Sequence, residues 1–229
     1  YEQGLPAAWL GQPAGEARSM GIHESQSLFF EMQLARHPAF LERLSPLIKQ
    51  HFGDQPAFDA ENLIQLYSRV EPGFIRVDAD ELTYPAHIIL RFEIEQALIE
   101  GKIQVHDLPE VWNNKMQQYL GLSTRGNDAI GCMQDIHWTD GSFGYFPSYT
   151  LGALYAAQFA AAIERDVGNI GELIASKDGL PQNFNWLKAN VWQKASLLST
   201  EELICQATGE SLNTQFFRHY LEQRYTSGL

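Results

Sequence analysis

A nearly uninterrupted apolar run, YTLGALYAAQFAAAIERDV at residues 149–167, constrains the fold more than any other segment of the chain. It is rich in alanine, and almost every position in it is apolar. A helix that is hydrophobic all round has to be buried among other elements. The run therefore predicts a buried helix and places the chain among mainly helical proteins.

Helical periodicity recurs along the rest of the chain. Apolar residues fall at helical spacing from Ser25 to about His51, with a break at His37-Pro38 because a residue before proline avoids helical backbone angles. We expect Asp59 and Asp107 to be N-caps, and Gly101 and Gly121 to follow helix ends. The remaining helices are predicted at residues 59–71, 81–100, 107–121, 168–176, 183–198 and 200–225.

Three segments lack this periodicity. Residues 1–21 are rich in Gly, Pro and Ala and predict a surface loop, and residues 122–150 are aromatic, Gly-rich and irregular. FIRVDAD at 74–80 alternates apolar and polar residues, as a short strand does. The fold class predicted is mainly α, with at most a small β element.

Charge and cysteine content limit the partners and the compartment. The 28 acidic residues exceed the 16 basic ones, and such a chain repels phosphate backbones, so we expect no nucleic acid partner. No apolar run reaches the length of a membrane span and no signal peptide opens the sequence, so we expect no membrane partner. Cys132 and Cys205 are far apart and match no metal or redox spacing, which favours buried free thiols in a cytoplasmic protein.

GIHESQS at 21–27 is a candidate for part of a metal site. A helical zinc motif reads His-Glu-x-x-His, because residues four apart share a helix face. Here Ser27 stands four residues after His23, and no two of the seven histidines are four apart. Glu24 is therefore either a ligand of a site assembled from several segments or a first-turn carboxylate favoured by the helix dipole.

QDIHWTDGSFGYFPSY at 134–149 is a denser cluster of polar and aromatic residues. Loops of this kind often bring polar groups together at a site. His137 could carry a proton or donate a hydrogen bond, and Tyr149 could hydrogen-bond an oxyanion. The alternative is an aromatic loop with a structural role alone.

Arg76 is a candidate for binding a carboxylate, because its guanidinium group can make two parallel hydrogen bonds to that group. The alternative is a structural ion pair with Asp78 or Asp80. His87 and Arg91 lie one turn apart on a predicted helix, where packing and surface pairing are favoured over function.

Three segments together resemble the carboxypeptidase Taq family of metallocarboxypeptidases. They are HESQS at 23–27, IRVDADELTYPAHIILRFEIEQALIEG at 75–101 and GCMQDIHWTDGSFGYFPSYTLG at 131–152. The resemblance covers essentially the whole chain and keeps the order and spacing of the motifs. It implies a multi-helix, zincin-like architecture, with residues 1–229 forming the C-terminal part of one catalytic domain. It also implies an enzyme that removes single residues from peptide C-termini.

The resemblance further implies one divalent metal ion, zinc or cobalt, held by two histidines of a His-Glu-x-x-His helix and by a later glutamate. Glu24 matches that glutamate. In the family the metal-binding helix runs directly into a Tyr-Glu-Gln-Gly stretch, and Tyr1–Gly4 match that stretch. We therefore expect the chain to be the C-terminal portion of a longer enzyme and to be inactive alone, since the general base is also missing.

The roles of the other candidates follow from the same resemblance. Arg76 would bind the terminal carboxylate of the substrate, His137 and Tyr149 would contact the substrate or the oxyanion, and His23 would line the site. Leu28 stands where the family pattern has Arg, so contacts in that turn differ. The parent enzyme is expected to be a cytoplasmic homodimer that acts on peptides.

Two other functions are compatible with the sequence. The chain could be a non-catalytic helical module that binds peptide C-termini or a protein partner, which would need Arg76 and the aromatic loop but no metal. It could also be a purely structural domain, with Arg76 and His137 buried in pairs.

Overall fold

The structure, a computed structural model, describes residues 1–226, and about 65% of the chain is helical. No strand occurs within those residues, which confirms the mainly α class. The helices are α1 Met20–Leu28, α2 Pro38–Phe52, α3 Ala60–Tyr67, α4 Tyr84–Ile99, α5 Leu108–Leu120, α6 Pro147–Asp166, α7 Ile170–Ala175, α8 Gly179–Asn190, α9 Thr200–Thr208 and α10 Gln215–Thr226. Within residues 1–226, no helix combines the length and the apolar character needed to cross a membrane.

The chain divides into two compact units. One comprises Tyr1–Ser68 and Leu151–Leu229, and the other comprises Arg69–Thr150. We call them the outer-segment unit and the central-segment unit, after their places in the sequence. The assignment of residues 1–229 to one catalytic domain stays a prediction.

The core of the outer-segment unit forms around α6. Its side chains Ala156, Phe159 and Ile163 are inaccessible to solvent and belong to the same cluster as Ile22 of α1 and Leu187 of α8. The apolar run that predicted a buried helix does form one. Its burial on several sides explains why polar residues are almost absent from it.

The break at His37-Pro38 is confirmed. After α1 the chain continues as a π-helix, Phe29–Ala35, and α2 then begins at Pro38. The Nδ1 atom of His37 accepts a hydrogen bond from the backbone N–H of Ala39 at 3.1 Å, so His37 caps α2. Proline is favoured at the first helical position, where no hydrogen bond is lost.

The core of the central-segment unit lies between α4 and α5. Leu90 and Ile94 of α4 pack in one cluster with Trp112 and Met116 of α5. Gly121 follows the end of α5 with a φ of +70°, a left-handed conformation that glycine adopts without strain. Sequence periodicity predicted both helices, although α4 begins three residues later than expected.

The predicted strand at 74–80 is wrong. Arg76–Asp78 form a short 3-10 turn, and the side chain of Gln134 binds the backbone at its start. Gln134 accepts from the N–H of Arg76 at 2.9 Å and donates to the carbonyl of Phe74 at 3.0 Å. One amide side chain thus supplies the hydrogen bonds that a neighbouring strand would have supplied.

The single helix predicted at 200–225 is also wrong, because α9 and α10 are separate. Gly209 ends α9 with a φ of +99°, and the buried side chain of Gln158 binds the turn that follows. Gln158 donates to the carbonyl of Ser211 at 3.1 Å and accepts from the N–H of Asn213 at 3.0 Å. The helix predicted at 183–198 lies earlier, at Gly179–Asn190, and a short 3-10 turn follows it.

Asp59 precedes α3 as predicted, but its side chain makes no capping hydrogen bond. Its Oδ1 atom instead lies 2.6 Å from Nζ of Lys49. Asp107 precedes α5 without capping it, and its carboxylate accepts from the N–H of Gln104 at 2.8 Å. In both cases the carboxylate accepts a hydrogen bond from another donor, and not from the N–H groups at the start of the helix as the sequence pattern predicted.

Candidate functional site

His23 and Glu24 lie on α1 in the outer-segment unit. Ser19 caps this helix by accepting from the N–H of Ile22 at 3.3 Å, and no acidic residue lies in its first turn. The alternative interpretation of Glu24 as a first-turn carboxylate is therefore wrong. The Nε2 atom of His23 lies 3.2 Å from Oε1 of Glu2, so this imidazole is already near a carboxylate.

The backbone of α6 comes very close to α1 at Glu24. A Cβ atom placed on Gly152 would lie 2.7 Å from Cβ of Glu24 and 3.1 Å from its carbonyl carbon. Such distances leave no room for a side chain at position 152. Glycine thus lets α6 support the part of α1 that carries Glu24.

These residues do not by themselves fit a metal ion. Within residues 1–226 no three His, Cys, Asp or Glu side chains converge as metal ligands would. A zinc-type site normally uses three or four protein ligands, and Glu24 supplies one carboxylate.

Asp135 links two arginines in the central-segment unit. Its Oδ1 atom accepts from Nε of Arg76 at 2.9 Å, and its Oδ2 atom accepts from Nε of Arg91 at 2.7 Å. Nη2 of Arg76 also lies 2.9 Å from Oδ1, and Nη2 of Arg91 lies 2.6 Å from Oδ2. Arg76 is thus in an ion pair, but with Asp135 rather than with Asp78 or Asp80.

Burial makes this arrangement electrostatically strong. Arg91 is fully buried and Arg76 is 7% exposed. Burial favours the protonated form of Asp135, but Arg91 and Arg76 oppose it and lower the pKa of that carboxyl below its ordinary value. Burial lowers the pKa of Arg91 to about 10, so its guanidinium group still carries a charge at neutral pH.

His87 and Arg91 are not a surface pair, because both are fully buried. Burial, together with the charge of Arg91, lowers the pKa of His87 to about 4. Nη1 of Arg91 donates to the carbonyl of His87 at 2.8 Å. Of the packing and surface pairing expected for these two residues, packing is confirmed and surface pairing is wrong, because this face of α4 is buried within the unit.

His137 and Tyr149 are in direct contact. The Nε2 atom of His137 lies 2.9 Å from the hydroxyl of Tyr149, and its ring lies 4.3 Å from that of Phe146. Nδ1 of His137 is buried, makes no hydrogen bond and lies 3.9 Å from Oδ1 of Asp135. Burial and the charge of Arg76 lower the pKa of His137, so its imidazole is neutral at pH 7.

The predicted residues of this unit therefore lie together. The guanidinium carbon of Arg76 is 4.9 Å from the centre of the Tyr149 ring, and Tyr149 contacts His137. We call Arg76, Arg91, Asp135, His137 and Tyr149 the arginine cluster. His23 and Glu24 belong to the other unit.

Glu95 is a buried residue that the sequence analysis missed. It accepts from the indole N–H of Trp138 at 2.9 Å and from the N–H of Gly144 at 3.0 Å, and so ties the aromatic loop to α4. A signal for it was present, since His87, Arg91 and Glu95 recur every four residues along α4. That spacing places all three on one face.

Comparison with known proteins decides the family. The model of the carboxypeptidase Taq (M32) metallopeptidases matches residues 1–225. The chain belongs to this family. Curated M32-like relatives include thermostable carboxypeptidase 1 of Thermus thermophilus, 40% identical over 227 residues, and carboxypeptidase 1 of Bacillus subtilis, 39% identical over 234 residues. Each alignment covers 99% of this chain, and the chain spans about 44–45% of the length of these relatives.

Solved structures agree with the M32 assignment. Metallocarboxypeptidase 1 of Trypanosoma cruzi is 48% identical with a TM-score of 0.92, over 97% of this chain and 47% of that one. The M32 carboxypeptidase of Deinococcus radiodurans is 38% identical with the same TM-score, over 98% and 45% of the respective chains. The predicted family and multi-helix carboxypeptidase architecture are confirmed. The description of the matched family is that of a metallopeptidase.

Proposed function

We propose that this chain forms the substrate-binding part of a metallocarboxypeptidase that releases single residues from peptide C-termini. The observation that carries the proposal is the charge of the arginine cluster. Two guanidinium groups face one carboxylate, so the buried set retains one positive charge. A buried charge is costly unless it is paired, and the terminal carboxylate of a peptide would pair it.

Arg76 is the group we assign to that carboxylate. It keeps a small exposed area, whereas Arg91 has none. Only a chain end offers a main-chain carboxylate, so this contact would select exopeptidase cleavage over cleavage within a chain. Charge-assisted, bidentate pairing suits the planar guanidinium group better than an ammonium group.

His137 and Tyr149 would contact the substrate beside that carboxylate or stabilise the tetrahedral oxyanion. Their mutual hydrogen bond at 2.9 Å fixes both groups, and a neutral His137 can exchange donor and acceptor roles. His23, 42% exposed in its side chain, would line the site.

Glu24 would supply one ligand to zinc or cobalt. The remaining ligands would come from a His-Glu-x-x-His helix of the full-length enzyme, because the residues described here provide no complete set. We propose that this enzyme is a cytoplasmic homodimer, as the family resemblance implies. The isolated 229 residues are proposed to be inactive for the same reason.

A non-catalytic module that binds peptide C-termini is the second candidate. It is favoured by the contrast between a well-formed arginine cluster and the lack of a complete ligand set among residues 1–226. Such a module would hold the chain end without cutting it.

Mass spectrometry separates these functions. A short peptide is incubated with the purified chain and zinc or cobalt, then with a version extended upstream by a His-Glu-x-x-His helix, each with a chelated control. We expect stepwise loss of C-terminal residues with the extended version alone, stopped by the chelator. No cleavage by either, with retained binding of the peptide, would favour the binding module. Cleavage by the 229-residue chain would contradict its proposed inactivity.

A further inference from the structure

We infer that Asp135 is a positioning residue, which fixes the direction in which Arg76 presents its free N–H groups to a ligand carboxylate, with Arg91 as its anchor. The inference rests on the proposed role of Arg76. Asp135 itself does not touch the ligand, because both of its oxygens are occupied by arginines.

Arg91 can serve as an anchor because its side chain is enclosed by neighbouring groups. It is fully buried, and its guanidinium carbon lies 4.6 Å from the centre of the Trp112 ring and 5.4 Å from that of Phe146. Its Nη1 atom also donates to the carbonyl of His87 within α4. Because Asp135 is hydrogen-bonded to Arg91, its carboxylate is held in one position.

Arg76 depends on that carboxylate for its orientation. An arginine side chain has several rotatable bonds and loses considerable rotamer entropy when it is held in one geometry. The Nε edge of Arg76 faces Oδ1 of Asp135, and its Nη1 atom donates to the hydroxyl of Tyr84 at 2.9 Å. The ring of Tyr149 covers one face of the guanidinium plane.

These contacts determine which N–H groups of Arg76 remain available to a ligand. A guanidinium group has five N–H groups, and the only one on Nε is used by Asp135. One N–H of Nη2 also faces Oδ1 of Asp135, and one N–H of Nη1 is donated to Tyr84, so one N–H on each terminal nitrogen is left for a ligand. That pair matches the two oxygens of a carboxylate. Asp135 thus directs the unused donor pair of Arg76 away from itself.

Two measurements on the purified chain test the inference. The first needs no ligand and records the side-chain nitrogen resonances of 15N-labelled arginine by NMR. The variants Arg76→Lys and Arg91→Lys assign the signals of these two residues. We expect Arg76 to give separate Nη signals in the native chain, because its rotation is hindered. We expect these signals to merge in Asp135→Asn. Asp140→Asn is the matched control, since it removes an exposed carboxylate from the same loop without touching either arginine.

The second measurement compares acetyl-trialanine with its C-terminal amide by calorimetry. Charge-assisted hydrogen bonds predict that the native chain binds the acid about tenfold more tightly than the amide. We expect this preference to fall below about threefold in Asp135→Asn and to persist in Asp140→Asn. Where Asp135→Asn does not fold by circular dichroism, Asp135→Glu replaces it. That variant keeps the charge but displaces the oxygens by one methylene, so the preference should still fall about threefold or more.

The outcomes distinguish the positioning role of Asp135 from the carboxylate-binding role of Arg76. A folded Asp135 variant with separate Nη signals for Arg76 and an unchanged preference for the acid overturns the positioning role. A native chain that binds acid and amide equally contradicts the proposed carboxylate role of Arg76. In that case the Nη signals still decide whether Asp135 orients Arg76. Merged signals together with a lost preference support both.

Discussion

Gly152 of α6 lies so close to Glu24 of α1 that a Cβ atom added to the glycine would stand 2.7 Å from Cβ of Glu24. Real side chains essentially never approach that closely, and the neighbouring atoms here are near the backbone and cannot swing away. The spacing of these two helices is therefore set by the lack of a side chain at one position. The candidate metal ligand sits at that contact.

Gly152→Ala should lower the free energy of unfolding by about 1–3 kcal/mol, because the extra methyl group forces α1 and α6 apart. Gly21→Ala is the matched control on the same helix pair. Its added Cβ would lie 3.4 Å from the ring of Tyr155, an ordinary contact, and alanine favours helix. Urea unfolding followed by circular dichroism measures both. Equal stability in the two variants would contradict the close approach.

Removing the anion of the arginine cluster should cost more than removing its buried cation. Asp135→Asn leaves two arginines without their carboxylate and should cost about 3–5 kcal/mol. Arg91→Met leaves Asp135 paired with Arg76 and should cost about 1.5–3 kcal/mol, the value of a lost charged hydrogen bond. Arg218→Ala breaks an exposed pair with Glu222 and should cost less than about 0.5 kcal/mol. Urea unfolding curves give the order, and the reverse order of the first two would refute it.

His87 should make the central-segment unit sensitive to mild acid. Its pKa is about 4 in the folded chain and about 6.5 when unfolded, so the unfolded state binds more protons between these values. Stability should therefore fall as the pH drops from about 6.5 towards 4, by up to about 3 kcal/mol. The depressed pKa of Asp135 acts in a different window. Its contribution is complete above its unfolded pKa of about 3.9 and is lost below that.

The measurement compares urea midpoints at pH 7 and pH 4.5. His87→Gln cannot gain a proton, so its midpoint should change less with pH than that of the native chain. His106→Gln is the control, since the side chain of His106 is 82% exposed. An identical pH dependence in the native chain and His87→Gln would show that His87 is not the group responsible.

Glu95→Ala should loosen the aromatic loop. It leaves the indole N–H of Trp138 and the N–H of Gly144 without their acceptor, at about 1–3 kcal/mol for each donor that stays buried. We expect faster cleavage by a protease within residues 134–146, detected by mass spectrometry. Glu100→Ala, at an exposed position just after the same helix, should leave the cleavage rate unchanged.

The sequence predicted elements whose cause is local. The α6 run, the break at Pro38 and the stop at Gly121 depend on residues within one or two turns. The errors have a different cause. Gln134 and Gln158 bind backbone groups more than fifty residues away, and so turn a predicted strand and a predicted continuous helix into turns. Nothing in the local pattern carries that information.

The residues of the candidate site also divide into those that the sequence predicted and those that it did not. Loop composition identified His137 and Tyr149, carboxylate-binding geometry identified Arg76, and the family resemblance supported all three; the structure places them in one cluster. Their roles stay predictions. Arg91 was named together with His87, but packing and surface pairing were favoured for the two over a function, and both are in fact fully buried. Which face of α4 is buried depends on α5 and on the aromatic loop.

The residues of the arginine cluster are far apart along the sequence, and this affects how the chain folds. Asp135 is 59 residues from Arg76 and 44 residues from Arg91 along the sequence. Closing such loops costs chain entropy that is recovered only when distant segments meet, so contacts of this range form late. An intermediate with α4 and α5 already paired would show a helical far-UV spectrum while its arginines were still apart. Helix content would then rise before the ability to recognise an anion, and stopped-flow circular dichroism would separate the two events in time.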